Sequence, residues 1–128
     1  MPSTLIATGE WAQGREMELI MAVQSTLLTA LQIPEWDRDV LVDLYDRKRR
    51  IVPTRKSEQF TRIEIKLFIG RSLKAKRALY QSIVQNLFAV GIPRDEIKIV
   101  LVEIPLENWG VRGGLPASDS DIGFKVNV

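Results

Sequence analysis

Pro2 stands directly after Met1, and removal of the methionine would leave a secondary amine at the head of the chain. α-Amino groups titrate near ~7.7–8.0, closer to neutrality than lysine, and burial or a nearby cation lowers that value further. Such an amine is largely neutral at pH 7. It can take a proton from the carbon next to a carbonyl, or attack the carbonyl itself. A retained Met1 would instead make the same nitrogen an unreactive amide. Few side chains compete for the role, because the chain has no His and no Cys. That removes the commonest general base, the Ser-His-Asp arrangement, thiolate nucleophiles and the usual zinc and iron ligands together. Any proton carrier must be Asp, Glu, Lys, Tyr or a chain terminus.

The elements that would position such a group come in two similar words. Gly14-Arg15 opens a helical pattern that closes at Ile33-Pro34 and leads into Val40-Leu41-Val42-Asp43-Leu44. Gly70-Arg71 opens a second that closes at Ile92-Pro93 and leads into Val100-Leu101-Val102-Glu103-Ile104. Leu19, Ile20, Val23, Leu27, Leu28 and Leu31 recur at helical spacing, with Glu16, Glu18, Gln24 and Ser25 elsewhere on the wheel. Leu79, Tyr80, Ile83, Val84, Leu87 and Phe88 repeat the pattern, with Ser72 as N-cap and Gly91 as the residue past the C-cap. Strands are expected at Ser3 to Thr8 and at Phe60 to Ile69, where Ile63, Ile65, Leu67 and Ile69 share one face.

The order reads β-α-β, loop, β-α-β. It predicts a single α+β domain with halves at 2–46 and 59–105, a loop at 47–58 and a turn-rich tail at 106–128. Each helix is long enough to cross between parallel strands, which puts four strands in one mixed sheet with both helices on one face. The other face stays partly apolar and calls for cover from a symmetric oligomer. The tail, with a final strand at Phe124 to Val128, is expected to pack on a neighbouring subunit.

Two βαβ halves, a proline after the initiator methionine and Gly70-Arg71-Ser72 at the second helix start together resemble the tautomerase superfamily. The stretch Gly70 to Tyr80 and the run Leu101 to Trp109 are similar to the branch that includes malonate semialdehyde decarboxylase. The resemblance implies a trimer, cofactor-independent chemistry without a metal, and catalytic roles for Pro2, Arg71 and Asp37. Arg71 would clamp a substrate carboxylate, for which its planar fork suits and a lysine does not. Asp37 would orient a water or hold the proline ammonium, where a bland reading makes it a turn residue. Trp109 and Tyr45 are further candidate substrate contacts, although such aromatics, Trp36 included, are more often packing residues than ligand contacts. The decarboxylases carry a second arginine where this chain has Ile69, which turns the expectation toward tautomerase-like proton transfer on a small 2-oxo acid. Decarboxylation or hydration of a three-carbon oxo acid or acrylate, and a non-catalytic oligomeric module with Met1 retained, are the alternatives.

With 18 basic and 16 acidic residues the net charge is +2, too mild to imply a polyanionic partner. The run Arg47-Lys48-Arg49-Arg50 reads as a solvated loop face. The expected partners are a small oxo acid and copies of the chain itself, with no nucleic acid and no membrane. The composition and the lack of a secretion signal imply a cytoplasmic protein.

Overall fold

The computed structural model describes residues 1–119. β1 (Ser3–Gly9), α1 (Glu16–Leu31), β2 (Val40–Tyr45), β3 (Thr61–Phe68), α2 (Leu73–Ala89) and β4 (Ile97–Ile104) follow one another along the chain. The sheet order is β2-β1-β3-β4. β1 runs parallel to β2 and β3 parallel to β4, while β1 and β3 meet antiparallel at the seam between the halves. This is the α+β arrangement of two βαβ units that the repeat predicts.

The core lies between the sheet and the helices. Leu19, Val23, Leu27 and Leu31 recur every four residues on α1 and are all buried, as are Leu79, Ile83 and Leu87 on α2. They meet Ile6 of β1 and Ile63, Ile65 and Leu67 of β3. The stripe on α2 is narrower than expected, since Phe88 is 51% exposed and lies under the Arg94 guanidinium, 4.4 Å from its ring centre. Gln24 departs from expectation in the other sense: it is buried on α1.

The ends of α2 follow local chemistry. Ser72 caps its start by accepting a bond from the Ala75 N–H at 3.1 Å. At its end the N–H of Ile92 reaches the Leu87 carbonyl and that of Gly91 reaches Phe88, both at 3.0 Å. This crossed pair needs a left-handed residue, supplied by Gly91 at φ 106°. β3 stops at Phe68, so Ile69 leaves the buried face assigned to it and is 48% exposed. Gly70, at φ 121°, turns the chain away there. β4 begins at Ile97, three residues before the expected Val100, because Ile97 and Ile99 also pack on the core.

The loop between the halves is tied down by its own charges. Arg50 donates to the carbonyls of Glu58 and Phe60, both at 2.8 Å, and Arg47 pairs with Glu58. The Glu58 carbonyl passes so near Gly9 that a Cβ on Gly9 would stand 2.4 Å from it. On the sheet face away from the helices, Leu5 lies between Leu41 and Glu64, with Val100 beyond Glu64. Leu41 is 62% exposed on that face.

In the tail, residues 110–116 form a small hairpin of β5 (Gly110–Val111) and β6 (Leu115–Pro116). Ala117 is buried and donates its N–H to the Trp109 carbonyl at 2.9 Å. The expected strand Phe124 to Val128 lies outside the described residues. Among the described residues no helix is long and apolar enough to cross a membrane.

Candidate active site

Topology alone collects one set of residues at one end of the sheet. Because β2 is parallel to β1, the segment entering β2, with Asp37, lies beside the start of β1, with Pro2. Because β3 is antiparallel to β1, the exit of β3, with Arg71, lies there too. β4 is parallel to β3 and delivers Trp109 to the same end.

The side chains meet accordingly. The Met1 ammonium stands 3.3 Å from Oδ2 of Asp37. Pro2 is buried, Asp37 is 6% exposed and Arg71 is 7% exposed. Arg71 turns away from water, and its Nη1 donates to the carbonyl of Leu31, the last residue of α1. That carbonyl has no partner within its own helix, so the guanidinium both caps α1 and brings a positive charge to the site. The turn carrying Asp37 closes with a bond from its N–H to the Pro34 carbonyl at 3.0 Å. Its own carbonyl accepts from Gln24 Nε2 at 3.1 Å. Asp39 is bound to β1 twice, its carboxylate by Ser3 Oγ at 2.7 Å and its carbonyl by the Thr4 N–H at 3.0 Å.

Among the described residues, the buried side-chain atoms lacking a hydrogen-bond partner within the protein's side chains and backbone are Thr4 Oγ1, Gln24 Oε1 and Arg71 Nε, with Asp37 Oδ2 held only by the ammonium of the chain's first residue at 3.3 Å. All four belong to this end of the fold. Leaving such a group unpaired costs about 1–3 kcal/mol, and the cost is concentrated at this one end.

The electrostatics are set chiefly by burial. Desolvation lowers the pKa of the N-terminal amine from its ordinary 8.0, Asp37 opposes this by charge and hydrogen bond, and Arg71 adds to it. Desolvation likewise raises the Asp37 carboxyl above 3.8, opposed by the N-terminal ammonium and Arg71 and reinforced by Asp39. Burial pulls Arg71 downward, with Asp37 opposing.

Trp109 stands at this end with its Nε1 donating to the Ile104 carbonyl at 3.2 Å. Its ring meets Phe68 edge to face, with centroids 5.0 Å apart. Tyr45 does not join this group. It pairs with Gly9 at the far end of β1, about 20 Å from Pro2 at the usual strand rise. There it lines a separate concavity of about 810 Å³ with Arg47, Arg50 and Glu58. The parallel pairing of β1 and β2 puts the exit of β2 opposite its entrance, so within one chain Tyr45 and Pro2 cannot share a pocket. Trp36 does not pack as an aromatic of the core would: it is 59% exposed. Gln24 and Thr4 had no assigned role. A signal for Gln24 existed, since it precedes Leu27 by three and Leu31 by seven and so sits inside the apolar stripe.

A family model described as "Tautomerase enzyme" matches residues 37–112, more than half of the chain and including Asp37, Arg71 and Trp109. The chain belongs to the tautomerase family. It is 38% identical over 52 residues to a probable tautomerase of Ralstonia nicotianae, a match covering 40% of this chain and 74% of the relative. It is 33% identical over 51 residues to the 2-hydroxymuconate tautomerase of Comamonas testosteroni, covering 39% and 81%. Among solved structures, a malonate semialdehyde decarboxylase inhibited by 3-bromopropiolate superposes with a TM-score of 0.85 at 18% identity, covering 96% of this chain and 99% of that one. A fused 4-OT solved as an asymmetric trimer superposes at 0.81 with 18% identity, covering 91% and 97%. The relatives are named as enzymes, and the double-βαβ fold is common to the tautomerase and decarboxylase structures.

The raised Asp37 pKa has a consequence for this tautomerase-family protein. The folded chain holds the Asp37 proton to higher pH than the unfolded chain does, so stability falls as pH rises from 3.8 through the folded value. Asp37→Asn should remove that fall, giving a flatter dependence of urea midpoint on pH and a variant at least as stable as the parent at neutrality. Parallel curves for the two proteins would contradict the assignment.

Proposed function

We propose that the protein is a cofactor-independent tautomerase of a small 2-oxo acid, with the Pro2 amine as its base once Met1 is removed. The observation that carries this reading is the 3.3 Å contact between the chain's N-terminal amine and the buried Asp37 carboxylate, with Arg71 as the nearby cation. Removal of Met1 transfers that amine to Pro2, one residue nearer the sheet. In the enol-to-keto direction the neutral amine accepts the hydroxyl proton and delivers a proton to the adjacent carbon, so the enzyme ends each turnover unchanged. Arg71 binds the substrate carboxylate, and Asp37 holds the amine while it is protonated. Trp109 stands as a wall of the pocket.

A second reading is decarboxylation or hydration of a three-carbon substrate on the same residues. It draws support from the decarboxylase likeness and from Asp37, a carboxylate able to orient a water. The single guanidinium, with Ile69 on the strand side of it, favours proton transfer. The open sheet face, with exposed Leu41 beside Leu5, supports a homotrimer, the state in which the fused 4-OT neighbour was solved. Light scattering should therefore give three times the chain mass at micromolar concentration, and a stable monomer would overturn that part.

Mass measurement of the native N-terminus should find Pro2, and Pro2→Ala should lower the rate of 2-oxo acid ketonisation by about 10²–10⁴-fold while remaining folded. An unchanged rate, or a native chain that keeps Met1, would end this reading and leave a binding module in its place.

Arg71 is where the class of substrate enters. Arg71→Ala should weaken the acid substrate by about 1.5–3 kcal/mol, roughly tenfold to more than a hundredfold, and its ester far less. Arg71→Lys should restore only part, lacking the fork. Arg71 lowers the amine pKa, so its loss should also move the rising limb of the rate profile to higher pH. Equal losses for acid and ester with an unmoved profile would reduce Arg71 to a cap on α1.

A further inference from the structure

α1 buries two polar side chains, and they behave differently. Thr26 satisfies itself within the helix, its Oγ1 donating to the Val23 carbonyl at 2.7 Å. Gln24 reaches out of the helix instead. Its Nε2 donates to the Asp37 carbonyl at 3.1 Å, and its Oε1 stays buried with no hydrogen-bond partner. Flanked by Val23 and Leu27 on the packed side, this position would accept a Leu or Met of similar volume and leave no polar oxygen unpaired. The one bond its amide forms to the protein ends on the backbone of the candidate site's carboxylate.

The segment that bond holds is fixed at its start by Ile33, buried in the core, and at its end by Asp39. Residues 32–39 belong to no helix or strand, and they cross the end of the sheet where the amine lies. The Asp37 N–H to Pro34 carbonyl bond shapes the turn but ties it to nothing outside itself. Asp39, two residues on, is bound to β1 through Ser3 and Thr4. Gln24, from the helix layer, supplies the side-chain anchor on Asp37 itself. Between Ile33 and Asp39 the Asp37 side chain is aimed at the N-terminal amine.

We propose that Gln24 is a positioning residue of this site, its amide holding the 34–37 turn so that the Asp37 carboxylate stays in contact with the N-terminal amine. The proposal rests on the reading that this amine is the reactive group, and it extends that reading from the charged residues to the helix that orients them. The charged groups facing the amine are Asp37 and Arg71, with Asp39 acting on Asp37. Asp37 favours the protonated amine, so a carboxylate that drifts away leaves an amine that loses its proton at lower pH.

The test uses the mature protein and Gln24→Met, which keeps the length and removes the donor; Gln24→Leu replaces it if the methionine variant does not fold. NMR titration of the Pro2 amine should show its pKa displaced downward. The rising limb of kcat/KM should move to lower pH by the same amount, and its plateau should fall about tenfold, the scale of a small misplacement of a reacting group. In an Asp37→Asn background the same Gln24 substitution should leave the titration unmoved, because the two residues act through one contact. A folded Gln24 variant with an unmoved amine titration would overturn the proposal, whatever its loss of stability. So would an equal displacement with Asp37 already gone. The titration is read without substrate, so an active Pro2→Ala enzyme would defeat the functional reading while the Gln24 result still stood on the amine.

Discussion

The antiparallel pairing of β1 with β3 is the constraint on which the rest depends. Within each half the crossover is an ordinary parallel one, made by a helix that packs back on its own two strands. The seam joins the halves head to tail, through Thr4 against Ile65 and Ile6 against Ile63, and is closed by the buried hydroxyl pair Thr8 and Thr61 at 2.9 Å. Reversed, it would send Arg71 to the end of the sheet where Tyr45 now lies. As built, it places the chain's first residues, the turn before β2 and the turn after β3 side by side.

That end of the fold is held at a cost. A carboxylate, a guanidinium, an amide oxygen and a hydroxyl are buried there incompletely paired, where an apolar filling would fold more readily. Burial works against each charge, lowering the amine and raising the acid, and the mutual attraction of the charges offsets it in part. Arg71 serves both sides of this balance, since it completes the C-terminus of α1 while lowering the amine it faces. The end of α1 and the titration of the amine are therefore coupled through a single side chain.

The opposite end of the sheet solves a different problem. The basic run after β2 is spent largely on its own loop, with Arg50 on two carbonyls and Arg47 on Glu58. Glu96, itself buried, takes the Ser57 hydroxyl, and Lys56 reaches Asp95 at 3.7 Å. These contacts fix the long connection between halves at the end remote from Pro2. They explain why four consecutive basic residues leave a net surface of mixed sign around the Tyr45 concavity.

Local chemistry carried much of this into the sequence. The repeat of helix, proline and strand, the Ser72 cap and the Gly91 terminus are each readable from a few neighbouring residues, because hydrogen bonding within one or two turns decides them. Strand alternation at Ile63, Ile65 and Leu67 is legible for the same reason, and fails at Ile69 only because Gly70 ends the strand. The grouping of Pro2, Asp37, Arg71 and Trp109 was reachable through the family resemblance, whereas Tyr45 lies about 20 Å away at the usual strand rise, as the parallel βαβ crossover itself requires, since it puts the exit of β2 at the end of the sheet opposite the start of β1. The inward turn of Gln24 is legible in the helical stripe, but its bond to the Asp37 carbonyl was decided by how α1 packs over the turn before β2. The bond from Arg71 to Leu31 was decided only by the packing of one half on the other, since it joins groups distant in the chain whose meeting depends on the sheet order and the antiparallel seam.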